Sequence, residues 1–440
     1  MNKIFRNTLI GLCAGSSFSV QAQKKQDQPN IVILLADDLG YGDLGVTGSP
    51  DCKTPNIDAL AHDGVRFTNY YTSGPVCSPT RSALMTGRYQ ARFKNMEGAF
   101  HLGVDFIGLP ENEETIGKAL QRANYKTGLV GKWHLGSLPH MQPQNQGFDE
   151  FFGFLGGNID YFRHCNKDGT PDLYQNGKAI TSGKYMTDLI TKKSIDFIRK
   201  NKKKPFCLYV AYNAPHWPYQ GPDDEEMDLT GIKWMRSTRD HLVSMIERLD
   251  YSVGEIRKAL KKMGLEKNTL IVFSSDNGGD RLARNIPFSG RKGHLRDGGI
   301  HSPLYMVWPA ELEKGKTIDQ PCITMDLSRT ILELAHAKIN APLDGVNLLK
   351  KEELEKERSL CWRNNWHNEH AVRKGKWKLL HEKGKDYLFD LDNDAVEAHD
   401  LKSDYPEVFQ DLQKEFQRWE EEMPYKQTLF GKDLLQLKNN

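Results

Sequence analysis

Three short stretches hold polar side chains where a folded core would place apolar ones. Asp37-Asp38 follows the run Asn30 to Ala36. Gly131-Lys132-Trp133-His134 follows Lys126 to Val130, and Ser275-Asp276-Asn277-Gly278-Gly279 follows Thr269 to Ser274. Asp37, Asp38, Asp276 and Asn277 offer three carboxylates and an amide oxygen, a hard donor set that suits Ca2+ or Mg2+ rather than Zn2+. Asp-Asp after a strand is weak on its own, because turns and helix caps use aspartate freely. The agreement among separate strand ends gives the set its weight.

A different chemistry sits in Pro75-Val76-Cys77-Ser78-Pro79-Thr80-Arg81. Pro79 fits the first turn of a helix, where its missing N–H costs nothing, Ser82 to Met85 continue it, and Gly87 ends it. Cys77 then stands at the helix N-terminus, where free N–H groups and the helix dipole attract anions. Arg81, one turn on, can lean back to the same point. That setting suits a nucleophile and a tetrahedral oxyanion. Half of a disulfide fits the local pattern equally well.

The elements that must position these residues alternate. The run Asn30 to Ala36 is short, continuous and β-branched, as a fully buried strand is. Thr54 as N-cap, Pro55 at the first helical position and Gly64 as a stop bound a helix. Helices over about Glu113 to Ala123, Thr187 to Asn201 and Arg239 to Met263 precede strands at Lys126 to Val130, Phe206 to Tyr212 and Thr269 to Ser274. Such alternation predicts an α/β fold with a largely parallel central sheet covered by helices on both faces. Sites in these sheets lie beyond the carboxyl ends of the strands. After about residue 350 the pattern changes to short strand-like pieces, Trp377 to Leu380 and Tyr387 to Phe389, and a helix near Pro406 to Met423. The expected organisation is a signal segment over 1–22, a catalytic domain over 23–350 and a smaller α+β domain over 351–440. The charged stretch Lys350 to Arg358 reads as the connection or as a solvated helix face.

Residues 1–22 carry a basic start (Lys3, Arg6), a mostly apolar run from Leu9 to Val20, and Val20-Gln21-Ala22 as a small-residue cleavage site. The apolar run is too short to span a bilayer, so export to the periplasm or medium is expected, with no membrane span. Leu12 stands where a lipid-attachment signal places a small residue, which speaks against an anchor at Cys13. Lys3 and Arg6 are the only charges in the segment, so the net charge of +2 falls to zero without it. A chain so balanced gives no reason to expect nucleic acid as a partner. The six remaining cysteines, Cys52, Cys77, Cys165, Cys207, Cys322 and Cys361, show no C-x-x-C pair and no zinc spacing.

Cys77-Ser78-Pro79-Thr80-Arg81 with Leu84-Met85-Thr86-Gly87-Arg88 resembles the C-x-P-x-R signature and trailing T-G-R of the type I sulfatases, of the alkaline phosphatase superfamily. Further matches run in family order: Pro29 to Val32 with Asp37-Asp38-Leu39-Gly40 and Gly42-Asp43, Gly131 to Gly136, Asn213-Ala214-Pro215-His216, Asp276 to Gly279, and Lys292-Gly293 with Asp297-Gly298-Gly299-Ile300. Asp297 departs slightly, since that position is often Glu. Leu388-Phe389-Asp390-Leu391 with Glu397 and Asp400-Leu401 resembles the family's C-terminal domain.

The resemblance implies that Cys77 is oxidised after translation, by a formylglycine-generating maturation enzyme, to Cα-formylglycine. One hydroxyl of its hydrate attacks sulfur in line. The second then lets the sulfated adduct collapse by C–O cleavage, an exit closed to a cysteine or serine ester. It also implies that Asp37, Asp38, Asp276 and Asn277 bind Ca2+, which also contacts residue 77. Asp276 is implied as the acceptor of the attacking hydroxyl's proton, His134 as the base for the collapse, and His216, with Lys292, as the proton donor to the leaving oxygen. Arg81, Lys132 and Lys292 would hold the sulfate oxygens.

Gly156-Gly157-Asn158-Ile159-Asp160-Tyr161-Phe162-Arg163-His164 is similar to the G-x-x-D-Y-x-x-H segment of the arylsulfatase B-like branch, which acts on N-acetylgalactosamine 4-sulfate. His164 could then touch a sugar hydroxyl, or simply form a turn. Asp280, Arg281 and Arg284 follow the metal motif and could line a sugar pocket. Asn364, Asn365, Trp366 and His367 suit either a carbohydrate ring or a domain interface. The resulting expectation is exo-acting desulfation of a galactose- or N-acetylgalactosamine-type glycan such as a mucin, chondroitin-type or algal chain. A phosphomonoester or phosphodiester hydrolase is the alternative enzyme. A glycan-binding protein with a dead site would have lost catalytic positions, and none of those matched is lost.

Overall fold

The structure is a computed structural model that describes residues 28–98, 108–224 and 237–426. The signal segment and Cys13 lie outside the described residues. Among the described residues the main sheet has ten strands. At its centre are β1 (Asn30–Ala36), β2 (Lys126–Lys132), β3 (Glu150–Phe154), β4 (Phe206–Ala211) and β5 (Thr269–Ser275), in the spatial order β5-β1-β4-β2-β3 and all parallel. β6 (Leu304–Val307) runs antiparallel on the far side of β5.

Alternation along β1 divides the core. Ile31, Ile33 and Leu35 face one hydrophobic cluster and Val32, Leu34 and Ala36 the other. No residue from Ile31 to Ala36 is more than 2% exposed, and each large apolar side chain so buried contributes about 1.5–3 kcal/mol. α1 (Pro55–Asp63), α4 (Met186–Asn201) and α5 (Arg239–Lys262) cover one face. α2 (Cys77–Thr86), α3 (Ile116–Arg122) and α6 (Thr324–Leu334) cover the other. None of the described helices is long and apolar enough to cross a membrane.

The second sheet is antiparallel, with β7 (Ser359–Asn364), β8 (Glu369–Lys374), β9 (Trp377–Glu382) and β10 (Lys385–Asp390) in sequence order. α7 (Pro406–Glu422) packs on one face through Leu412, Phe416 and Trp419. The other face meets the main body, where buried Lys378 donates to Asp297 and Glu397 at 2.6 and 2.7 Å.

Several local expectations change. Thr54 does not cap α1; its hydroxyl donates to Asp58 and accepts from the Gly45 amide. α3 begins only at Ile116, because Thr115 caps it by accepting from the Lys118 amide. β2 runs two residues beyond Val130, since Lys132 still pairs with Phe154. Lys351–Leu354 forms one helical turn, anchored by buried Leu354 in the main core, so the charged stretch is more than a solvated face. The six described cysteines are all free and buried.

Candidate active site

β1, β2 and β5 deliver their final residues to one edge. Asp37 and Asp38 follow β1, Lys132 ends β2, and Asp276 and Asn277 follow β5; all five are buried. Asp38 takes left-handed backbone (φ 64°), which an L-residue adopts at a cost. In that turn its amide donates to Asp276 at 3.3 Å and its carboxylate accepts from Asn277 at 2.8 Å and Lys292 at 2.7 Å.

α2 aims its first residue at this edge. The Cys77 thiol donates to Asp37 Oδ1 at 3.2 Å, and Lys132 Nζ holds Asp37 Oδ2 at 2.6 Å. Burial and the carboxylates of Asp276 and Asp37 push the Cys77 thiol well above its usual range. Cys77 is therefore a protonated thiol and a poor nucleophile as it stands, because the thiolate is the attacking form.

Arg81 differs from expectation. Its guanidinium is fully buried beneath the floor, with Nε 2.9 Å and Nη2 2.7 Å from Asp276 Oδ2, and Nη1 reaches the Lys132 carbonyl and the Tyr209 hydroxyl. Lys132 is likewise spent on Asp37. These two cations hold carboxylates instead of opening into the cavity, because three crowded carboxylates need compensation. Burial and the neighbouring Asp37 push Asp276 up to about 6 despite Arg81. Burial would also raise Asp38, but Lys292, His216 and Lys132 outweigh it and hold Asp38 well below the usual range.

Above the floor opens a cavity of about 900 Å³, lined by Cys77, His134, His216, Lys292 and Asp280 among others. The His216 Nδ1 lies 2.6 Å from the Trp217 carbonyl, which can only accept, so Nδ1 carries the hydrogen and Nε2 presents its lone pair 3.5 Å from Asp38. Burial, then Lys292, lowers His216 to about 3. Burial opposes the Lys292 ammonium too, but Asp38 and its neighbours overrule it and raise Lys292 well above its usual range. In this pair the proton rests on Lys292. His134 also has left-handed backbone (φ 59°), and a Cβ on Gly157 would stand 2.5 Å from its Nε2, so only glycine leaves room for the ring.

The donor set fits a hard divalent cation. Asn277 Oδ1 is buried with no hydrogen-bond partner among the described residues, beside three carboxylates. An orphaned acceptor at that place suits an oxygen-seeking ion. The cluster Asp37, Asp38, Cys77 and His216 brings its ligand atoms within 4.8 Å of one another.

The sugar candidates separate. Asp280 borders the cavity. Arg281 stays at the surface, 3.8 Å from Asp280, and Arg284 turns away to pair with Asp51 at 2.9 Å. His164 is a buried turn residue whose Nδ1 meets the Ser182 carbonyl, and it does not line the cavity. Trp366 and His367 do line it, whereas Asn364 and Asn365 serve the interface, bonding the Gly293 carbonyl and Glu97. Sequence reasoning passed over Arg291, His294, Lys167, Trp217 and Asp172 in the lining. Trp217 had a signal in its place directly after His216, on which it stacks. The others depend on loops that only tertiary packing brings together.

The Sulfatase family model matches residues 29–337, and that of the N-sulphoglucosamine sulphohydrolase C-terminal region matches 291–422. The chain belongs to the sulfatase family. It is a sulfuric ester hydrolase. This sulfatase is 33% identical over 362 residues to mouse N-acetylgalactosamine-6-sulfatase, covering 76% of this chain and 68% of the relative. It is 32% identical over 374 residues to human arylsulfatase A, covering 78% and 70%. Among solved structures it resembles Ps i-CgsB in complex with k-i-k-neocarrahexaose, at 35% identity and a TM-score of 0.81 over 89% of this chain and 93% of that one.

Proposed function

We propose that this sulfatase is an exported, exo-acting O-desulfating enzyme for a galactose- or N-acetylgalactosamine-type glycan, working through formylglycine made from Cys77 and a bound Ca2+. The observation that carries the reading is Cys77 itself, at the floor of the cavity and against Asp37, yet held protonated. A residue so placed and so inert as a thiol is suited to be a precursor, which a maturation enzyme would convert. The relatives named for N-acetylgalactosamine-6-sulfate and the neighbour bound to a neocarrahexaose support the substrate class.

Formylglycine supplies a hydrated aldehyde, with one hydroxyl to attack sulfur and a second to expel it. The Cys77 Sγ marks the place of the attacking oxygen, next to Asp37 Oδ1. Ca2+, held by Asp37, Asp38, Asp276 and Asn277, would supply positive charge beside that oxygen. The charge count favours this: the three carboxylates are already matched by Arg81, Lys132 and Lys292, so a dication leaves the site net positive for a sulfate ester and an ionising hydroxyl.

The chain's own residues divide the remaining work. Arg81 and Lys132 hold Asp276 and Asp37 in place from below. Lys292 faces the cavity and brings both charge and a proton to the sulfate and the leaving oxygen. His216, neutral in the free enzyme, shares with Lys292 the part of proton donor to the departing alcohol, its protonated form favoured once the anionic sulfate ester lies beside it. His134 takes a proton during expulsion of sulfate. Trp366, His367 and Asp280 offer a ring face and an acceptor to the sugar.

Sulfate release from a panel of 3-, 4- and 6-sulfated galactose and N-acetylgalactosamine saccharides tests the reading. Turnover of terminal sulfated residues supports it. Release of phosphate from phosphoesters with none of sulfate would overturn it.

A further inference from the structure

We infer that His370, His381 and Asp386 form a second metal site, for a borderline divalent ion such as Zn2+, on the C-terminal sheet. The three lie on successive strands in direct register, His370 opposite His381 and His381 opposite Asp386. Directly opposed residues of antiparallel strands point to the same face, with Cβ atoms about 4.5–5.5 Å apart. The side chains follow suit, because one ligand atom from each falls within 4.8 Å of the other two.

The chemistry differs from that of the catalytic floor. Two imidazoles and one carboxylate are the donors preferred by Zn2+ and its neighbours, while an all-oxygen set holds Ca2+. Three protein ligands leave a fourth tetrahedral position for water, and all three residues are half-buried, so an ion has access.

His370 supplies an independent observation. Its ring is sandwiched between His381, at 4.7 Å and 2°, and Phe416, at 4.2 Å and 14°. Neither of its nitrogens makes a hydrogen bond among the described residues, although the ring is half-buried. His381 Nδ1 lies 2.6 Å from Asp386 Oδ1, where a hydrogen now bridges two groups that a cation could bridge. The carboxylate holds His381 in place; because the two imidazole planes are parallel, one ring must turn about its Cβ–Cγ bond for both lone pairs to meet at one ion.

The site is separate from the catalytic floor: it lies on the C-terminal sheet, on the face that α7 covers through Phe416. Lys378 and Glu382 lie on the other face of β9, where they pair with Asp297 and Arg296 of the main body. An ion on His370, His381 and Asp386 would therefore staple β8, β9 and β10 without touching substrate.

The test uses the full chain loaded with Ca2+ and titrated with Zn2+ by calorimetry, with Co2+ absorption as a second readout. Expected are saturable Zn2+ binding and the visible bands of a low-coordinate Co2+ complex. His381→Ala and Asp386→Asn should each weaken Zn2+ binding by roughly tenfold or more, and His370→Phe, which keeps the ring stack, should do the same. Desulfation in Ca2+ alone should be unchanged in all three. A Zn2+ isotherm and a Co2+ spectrum identical in the wild type and the His381→Ala protein, or no binding in the wild type, would overturn the proposal.

Discussion

The Cys77 sulfur lies 3.2 Å from Asp37 Oδ1, and the other oxygen of that carboxylate is held by Lys132 at 2.6 Å. Residue 77 is thus tied to the floor before any modification. Cys77→Ala should fold, since one small buried group is lost, but lower kcat/KM by at least about 10³-fold. Cys77→Ser should release no more than one alcohol per enzyme in a burst, because its sulfate ester cannot collapse. Rapid-quench measurement of the burst checks this.

Arg81 is fully buried, and its guanidinium is committed to Asp276. Arg81→Met strands that carboxylate, and breaking a buried pair on one side costs about 3–5 kcal/mol. The urea midpoint should fall accordingly. If Arg81 instead served mainly to contact sulfate, activity would drop with the midpoint nearly unchanged.

Asp172 borders the cavity and accepts from the Leu155 and Gly156 amides at 3.1 and 2.9 Å. Burial raises its carboxyl from 3.8 to about 6 in spite of those bonds. Between about pH 4 and pH 6 the folded chain keeps a proton that the unfolded chain has released, so this group makes stability fall as pH rises through the window. Asp172→Asn should flatten that part of the stability profile, as read from urea midpoints on either side of the window.

Asn277 Oδ1 has no hydrogen-bond partner among the described residues, and three carboxylates stand beside it. Chelation by EGTA should lower both Tm and activity, with Ca2+ restoring them. Asn277→Ala should shrink the Ca2+-dependent rise in Tm. Equal rises in wild type and variant would remove Asn277 from the metal set.

Trp366 is 57% exposed at the rim and stacks on His367, which in turn stacks on His294 at 4.3 Å. Trp366→Ala should raise KM by about tenfold with kcat nearly kept, the mark of a residue that binds substrate and transition state alike. Steady-state kinetics on an oligosaccharide make the measurement.

Much of this was legible in residue order. The three strand ends met at one edge because parallel strands carry their C-terminal residues to the same side, so Asp37, Lys132 and Asp276 were predictable neighbours. The helix start at Cys77 followed from Pro79 and Gly87. What residue types could not show was direction. Arg81 and Lys132 point into the floor because buried carboxylates claim them. Arg284 pairs with Asp51 at the surface, and His164 closes a turn. β7 and β8 were missed because their buried charges, Arg363, Glu369 and Arg373, satisfied by distant partners, disguise the apolar alternation of a strand. Burial by another domain is invisible in local pattern.

The central claim is that Cys77 becomes the nucleophile's precursor. Peptide mass spectrometry across residue 77 of active enzyme, matched to turnover of each preparation, tests it most directly. The account predicts formylglycine or its hydrate at position 77, in a fraction that tracks activity. Full turnover from protein whose Cys77 is wholly an unmodified thiol would contradict it.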